Sequence, residues 1–169
     1  MPMENLQDLL TENLKDLYSA EKQLLAALPK MARKATTPSL RQAIESHRDE
    51  TQEHVTRLEQ ALEMLGMPAR GKPCKAMEGL IEETNDMLEE DADPEVLDAA
   101  IIACGNRIEH YEIAAYGTVR TYAQLMGNQQ MANLLQQTLD EEGNADKKLT
   151  ALAESSINLE AASGAGRSR

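Results

Sequence analysis

The stretch Ile101-Ile-Ala-Cys-Gly-Asn-Arg-Ile-Glu-His-Tyr-Glu-Ile-Ala-Ala-Tyr116, continued by Gly-Thr-Val-Arg-Thr-Tyr-Ala-Gln-Leu-Met126, fixes the fold through its spacing. Ile102, Gly105, Glu109, Glu112, Tyr116, Val119, Ala123 and Met126 recur at steps of three and four, the period of one helix face. Two glutamates stand on that otherwise small or apolar face. Ahead of the stretch, Asp93-Pro94 is a cap followed by proline at the first helical position, and Gly127-Asn128 closes the helix after Met126.

Working outward, the same punctuation divides the rest of the chain. A first helix runs from about Glu4 to Arg33, and Thr37-Pro38 caps a second that reaches Leu65 before Gly66. Gly66 to Pro73 is a loop, and Ala76 to Glu90 reads as a short amphipathic helix. Beyond Asn128 a fourth long helix spans about Gln129 to Glu154. The short turns make each hairpin antiparallel, and nearly thirty residues between the hairpins suffice to travel the bundle's length. The expected fold is all-α, an antiparallel four-helix bundle with one long crossover carrying a short extra helix. Residues 1–156 form its one domain, and 157–169 are expected to be a flexible tail.

Composition agrees. Phe and Trp are absent and Val occurs only at positions 55, 96 and 119, so the strand-forming vocabulary is nearly missing from these 169 residues. A net charge of −12 repels phosphate backbones, and 2% aromatic content leaves few stacking platforms, so nucleic acid and anionic membranes are poor partners. No apolar run is long enough to span a bilayer and the first residues do not resemble a secretory signal, which makes a cytoplasmic protein the expectation. Cys74 and Cys104 form no CxxC pair; Cys104 reads as a core residue and Cys74 as a loop thiol.

Each long helix carries polar residues where leucines belong. Glu21 interrupts the row Leu10, Leu14, Leu17, Leu24, Leu28, Met31, and Glu142 interrupts Met131, Leu135, Thr138, Ala145, Leu149, Leu152. The second helix places His47, Thr51 and His54 on its stripe with Glu50 on the adjoining row. Depth is an independent test. At a rise of about 1.5 Å per residue, Glu21 and Glu50 lie about 20 to 23 Å from the first turn, and Glu112 and Glu142 about 22 to 23 Å from the second. With Glu109 one turn further in, five carboxylates converge on one level. Such a cluster repels itself unless cations neutralise it, and carboxylates joined by imidazole suit two iron ions, or manganese, better than a thiolate-seeking metal. Lys22, Arg57, Arg107 and Lys147 fall off the apolar rows and read as solvated rather than as counterions. The four tyrosines are expected mainly to pack, since the core lacks Phe and Trp.

The blocks Asp16-Leu-Tyr-Ser-Ala-Glu-Lys-Gln, His47-x-x-Glu50-Thr51, Cys74-x-Ala-Met-Glu-Gly-Leu-Ile-Glu-Glu, Glu109-His-Tyr-Glu-Ile-Ala-Ala-Tyr-Gly and Leu139-Asp-Glu-Glu occur in that order. They resemble the YciF-type family of bacterial stress proteins, and the resemblance covers residues 4 to about 155. It implies a ferritin-like bundle, commonly a homodimer, related in architecture to rubrerythrins and manganese catalases. It also implies that Glu21, Glu50, Glu109, Glu112 and Glu142 stand where such bundles hold two metals. The usual Glu-x-x-His of the second helix is altered, because the third residue after Glu50 is Glu53 and the imidazole follows at His54. His54 is then the favoured ligand, His47 a supporting or alternate one, and Asp146, four after Glu142, takes the place of the fourth helix's histidine. The chemistry implied is diiron oxidase or peroxidase action on O2 or H2O2, supplied by an external electron donor because the chain has no paired CxxC motifs. Manganese-catalase-like disproportionation needs no donor. A non-enzymatic metal-binding or structural stress protein acting through partners is the alternative of a different class.

Overall fold

The computed structural model describes residues 3–164. Helix α1 spans Leu6–Lys34 and α2 Pro38–Met64; the crossover holds α3, Lys75–Glu89; α4 spans Pro94–Leu125 and α5 Gln129–Leu152. A π-helical turn, Ala153–Ile157, leads into α6, Asn158–Gly164. The described residues contain no strand.

Side chains set most of these ends. Asn5 accepts the Asp8 N–H at 2.9 Å and Asn128 the Met131 N–H at 3.0 Å, which starts α1 and α5. Gly66 and Gly127, at φ 67° and 74°, supply the left-handed residue that ends α2 and α4. Thr37 precedes Pro38 as expected, but its side chain makes no cap bond. Instead Asp98, buried in the first turns of α4, accepts from Thr36 N at 2.8 Å, Thr36 Oγ1 at 2.8 Å and Thr37 N at 2.7 Å. A residue of the second hairpin thereby caps a helix of the first.

That contact sets α4 parallel to α2, with α1 packed on α2 and α4, and α5 on α2 and α4. The crossover runs back along α1 and α4, tied by the Lys72 N–H to the Lys15 carbonyl and by Cys74 N to Ser19 Oγ. Cys74 is no loop thiol: it is fully buried, its Sγ accepts from Met77 N at the start of α3, and it lies 3.1 Å from the Tyr111 hydroxyl. Cys104 is a buried core residue as expected. The tail beginning at residue 157 is also corrected. Ile157 is 1% exposed within the core and α6 packs on α4, because the wider i→i+5 turn keeps Leu149, Ala153 and Ile157 near one face. Of that tail, residues 165–169 lie outside the described residues.

The core is split. One apolar block, nearer the Thr36 turn, gathers Leu24, Leu28, Met31, Leu40, Ile44, Ile101, Ile108 and Ile157. The other, nearer Gly127, gathers Leu10, Leu14, Leu17, Leu58, Leu62, Tyr116, Val119 and Leu135. Between them lies a buried polar stratum of Glu21, His47, Thr51, His54, Glu109, Glu112, Thr138 and Glu142. No helix among the described residues is long and apolar enough to cross a membrane.

Candidate metal centre

Every inward position of the stratum follows from helical phase. In α2, His47, Thr51 and His54 step by four and three and so point the same way, each less than a tenth exposed. Glu109 and Glu112 share the inner face of α4, while Glu21 and Glu142 are fully buried on α1 and α5.

The ligand atoms of His47, Glu109, Glu112 and Glu142 lie within 4.8 Å of one another, and so do those of Glu21, His54 and Glu142. Glu142 belongs to both groups. Its Oε1 is 2.9 Å from His54 Nδ1 and its Oε2 3.8 Å from His47 Nε2, so one carboxylate presents an oxygen to each imidazole. His47 Nε2 is also 2.8 Å from Glu109 Oε1, and His54 Nδ1 is 3.3 Å from Glu21 Oε1.

Outer carboxylates orient both rings. Glu50 Oε2 lies 3.3 Å from His47 Nδ1, and Glu141 Oε2 lies 2.8 Å from His54 Nε2. An ionised carboxylate only accepts, so each outer nitrogen carries a proton and the inner nitrogen is the one each ring turns to the interior. Glu141 is itself fixed by Arg57, whose Nη1 and Nη2 donate to it at 2.7 and 3.0 Å. Arg57 is therefore a counterion of this network rather than a solvated side chain. Burial opposes charge on Glu141, but the guanidinium and His54 outweigh it and hold the carboxyl below its usual range.

Inside the stratum, charge is poorly compensated. Burial, reinforced by the carboxylates of Glu21 and Glu109, drives the Glu112 carboxyl well above its ordinary pKa. Burial with Glu112 and Glu109 does the same to Glu142. Burial disfavours the charged form of His47, yet Glu109, with Glu50 and Glu21, outweighs it and pushes the imidazole up to about 10. Glu109 is correspondingly held down, burial being overcome by Glu142 and His47.

Hydrogen bonding leaves the interior unfinished. Glu21 Oε2, His47 Nε2, His54 Nδ1, Glu109 Oε2 and both oxygens of Glu112 and Glu142 are buried without an aligned partner. The nearest atoms are close but off-axis. Unpaired buried polar atoms on this scale are costly, and here they are all oxygen or imidazole donors aimed at one volume. That donor set fits divalent iron or manganese.

The sequence-derived ligands Glu21, His54, Glu109, Glu112 and Glu142 come together in these groups. Glu50 does not: its side chain is 38% exposed and touches the outer edge of His47. Its depth matches Glu21, but it sits about 60° around α2 from His47, off the inward row. Asp146 faces the α4–α5 seam instead, accepting from Asn106 Nδ2 at 2.6 Å and lying 3.1 Å from His110 Nε2. His47, expected as a supporting or alternate ligand, stands within one of the two groups beside Glu109, Glu112 and Glu142. Glu141 went unnoticed in the sequence, although its neighbour Glu142 and the off-row Arg57 opposite were the available signal.

The tyrosines do more than pack. Tyr116 is fully buried and its hydroxyl donates to Glu21 Oε1 at 2.5 Å. Tyr111 donates to Asp16 at 2.6 Å and Tyr18 to Glu59 at 3.1 Å.

The family model described as a domain of unknown function, DUF892, matches residues 5–162. Protein YciF of Escherichia coli K12 is 44% identical over 162 residues, 95% of this chain and 98% of that protein. The crystal structure of that stress protein superposes with a TM-score of 0.88, covering 92% of this chain and 99% of its own. YcfI of Rhodopseudomonas palustris, 43% identical, gives a TM-score of 0.85 over 87% of this chain and 94% of its own. A Xanthomonas campestris protein, 24% identical with a TM-score of 0.70 over 89% of this chain and 92% of its own, shares the fold. A match spanning nearly the whole chain, at this identity and over this bundle, makes the protein a member of the DUF892 family, that of the stress protein YciF.

Proposed function

We propose that the stratum is a dinuclear metal centre, diiron or dimanganese, in a bacterial stress protein of oxidase or peroxidase type. The observation that carries this is Glu142, whose two oxygens face His54 and His47 separately and so belong to two adjacent ligand groups. Glu21, His54 and Glu142 would hold one ion; His47, Glu109, Glu112 and Glu142 the other. When bound, the metal pair supplies electrons to O2 or H2O2.

The chain's own residues prepare that chemistry. Glu50 and Glu141 hold the two imidazoles with their inner nitrogens turned to the interior. Tyr116 donates its hydroxyl hydrogen bond to Glu21 Oε1, orienting that carboxylate at the edge of the site. The apolar blocks on either side limit water and strengthen every charge interaction in the stratum. Without a CxxC pair in the sequence, repeated turnover as a peroxidase draws electrons from a separate donor protein.

Elemental mass spectrometry of untagged protein, purified without chelator from cells given both metals, is expected to find close to two ions per chain. A value near zero, with no uptake on anaerobic Fe(II) or Mn(II) titration, overturns the reading. A second reading is a metal-stabilised structural protein working through partners; the Rhodopseudomonas relative carries the description of a structural protein. Iron-dependent O2 consumption, or sustained O2 release from peroxide in the manganese form, separates the enzyme from that alternative.

A further inference from the structure

A cavity of about 40 Å³ adjoins the stratum on one side, within the apolar block nearer the Thr36 turn. Leu24 and Leu28 of α1, Ile44 of α2, and Ile101 and Ile108 of α4 wall it, and His47 and Glu109 form its floor. It reaches the surface at the α2–α5 seam, where Glu50 and the exposed Lys148 stand. Gly105 leaves room for this arrangement: a Cβ there would lie 2.8 Å from Leu149 Cδ1, which also lines the cavity.

We propose that this cavity is a binding site for a small uncharged apolar molecule of diatomic size, delivering it to the His47–Glu109 side of the centre. Size sets the first limit. The space is about three times what one water needs, and well below the roughly 150 Å³ that admits benzene. Chemistry sets the second. Polar groups line only the floor, His47 and Glu109, and the mouth, Glu50, Asn144 and Lys148, so a peroxide would lose hydrogen bonds along the leucine and isoleucine walls between them, whereas dioxygen has none to lose. The substrate reaching the centre by this route is therefore O2 rather than H2O2. This choice rests on the metal reading above, while the cavity's affinity for an inert gas does not.

Xenon is the probe. In methyl NMR of the full-length protein as purified, xenon pressure should produce saturable shifts at Leu24, Ile44 and Ile108, with Leu62 and Val119 of the other block unmoved. Ile44→Phe should weaken binding by about tenfold or more by filling the space, and Leu149→Ala should tighten it by enlarging the space. Unchanged Leu62 and Val119 resonances establish that each variant is folded. No saturable shift, or equal shifts in both blocks, overturns the proposal. With Fe(II) loaded, Ile44→Phe should slow oxidation by O2 about tenfold and leave oxidation by H2O2 within about twofold. Equal slowing by both oxidants overturns the assignment of O2. Xenon binding in a chain that takes up no metal leaves the cavity standing and overturns the metal reading alone; metal uptake without xenon binding does the reverse.

Discussion

Loading the centre with metal must expel protons, and their number can be worked out residue by residue. Glu112 and Glu142, raised well above the ordinary carboxyl range by burial and by neighbouring carboxylates, are the carboxyls expected to hold protons in the metal-free protein. His47, pushed up to about 10 chiefly by Glu109 against its burial, is charged there. A metal ligand must be a carboxylate or a neutral imidazole, so two carboxyl protons and one imidazolium proton leave on loading. Each proton released makes binding tenfold tighter per pH unit, about 1.4 kcal/mol. The product of the two binding constants should therefore rise by about a thousandfold per unit between pH 6 and 8. Calorimetric titration with Mn(II) at pH 7, repeated in buffers of different ionisation enthalpy, counts the protons directly. Glu112→Gln should lower the count by one. Binding of two ions with less than one proton released would show that the stratum is already ionised, and would refute the account of how burial charges it.

The same shifts govern the metal-free fold. For a raised pKa, stability is full below the unfolded value and falls as pH climbs towards the folded one, so thermal melts should show Tm falling from about pH 5 to pH 8, and added metal should reverse the trend. Glu142→Ala should reduce metal content from near two to one or fewer while circular dichroism keeps its helical signature; two ions still bound would remove Glu142 from the centre. Glu141→Ala releases both Arg57 and His54 and should weaken the His54-side ion by about 10- to 100-fold, read by competition with a chelator. Asp98→Ala strips two backbone N–H groups of their acceptor and should cost about 2 to 3 kcal/mol in urea unfolding, with metal stoichiometry unchanged.

Much of this was legible before any coordinates, because its causes are local or periodic. Proline after a cap, glycine after a stripe and leucines at steps of three and four mark the four long helices. Depth along antiparallel helices brought Glu21, Glu109, Glu112 and Glu142 to one level. Rotation about the helix axis was harder to judge. Glu50 and His47 differ by less than one turn, and only packing on the neighbouring helices decides which faces inward. The ends were harder still: Asp98, sixty-one residues from Thr37 in sequence, caps the start of α2 where Thr37's own side chain does not, which local sequence cannot announce. Ala, Ser and Gly near the C-terminus resembled a solvated tail, yet one π-helical turn and Ile157 anchor them to the core.

The centre also divides evenly between the two hairpins that build it. The first contributes Glu21, His47 and His54, and the second Glu109, Glu112 and Glu142, so neither owns a complete ligand group. A hairpin displaced by one turn along its partner would set leucine against glutamate throughout the stratum and offer no ion a coordinated place. On the proposed metal reading, capture would act as a proofreading step in assembly: ions would reward only the register in which both halves have met correctly, and a chain that held its metals would certify that it had docked.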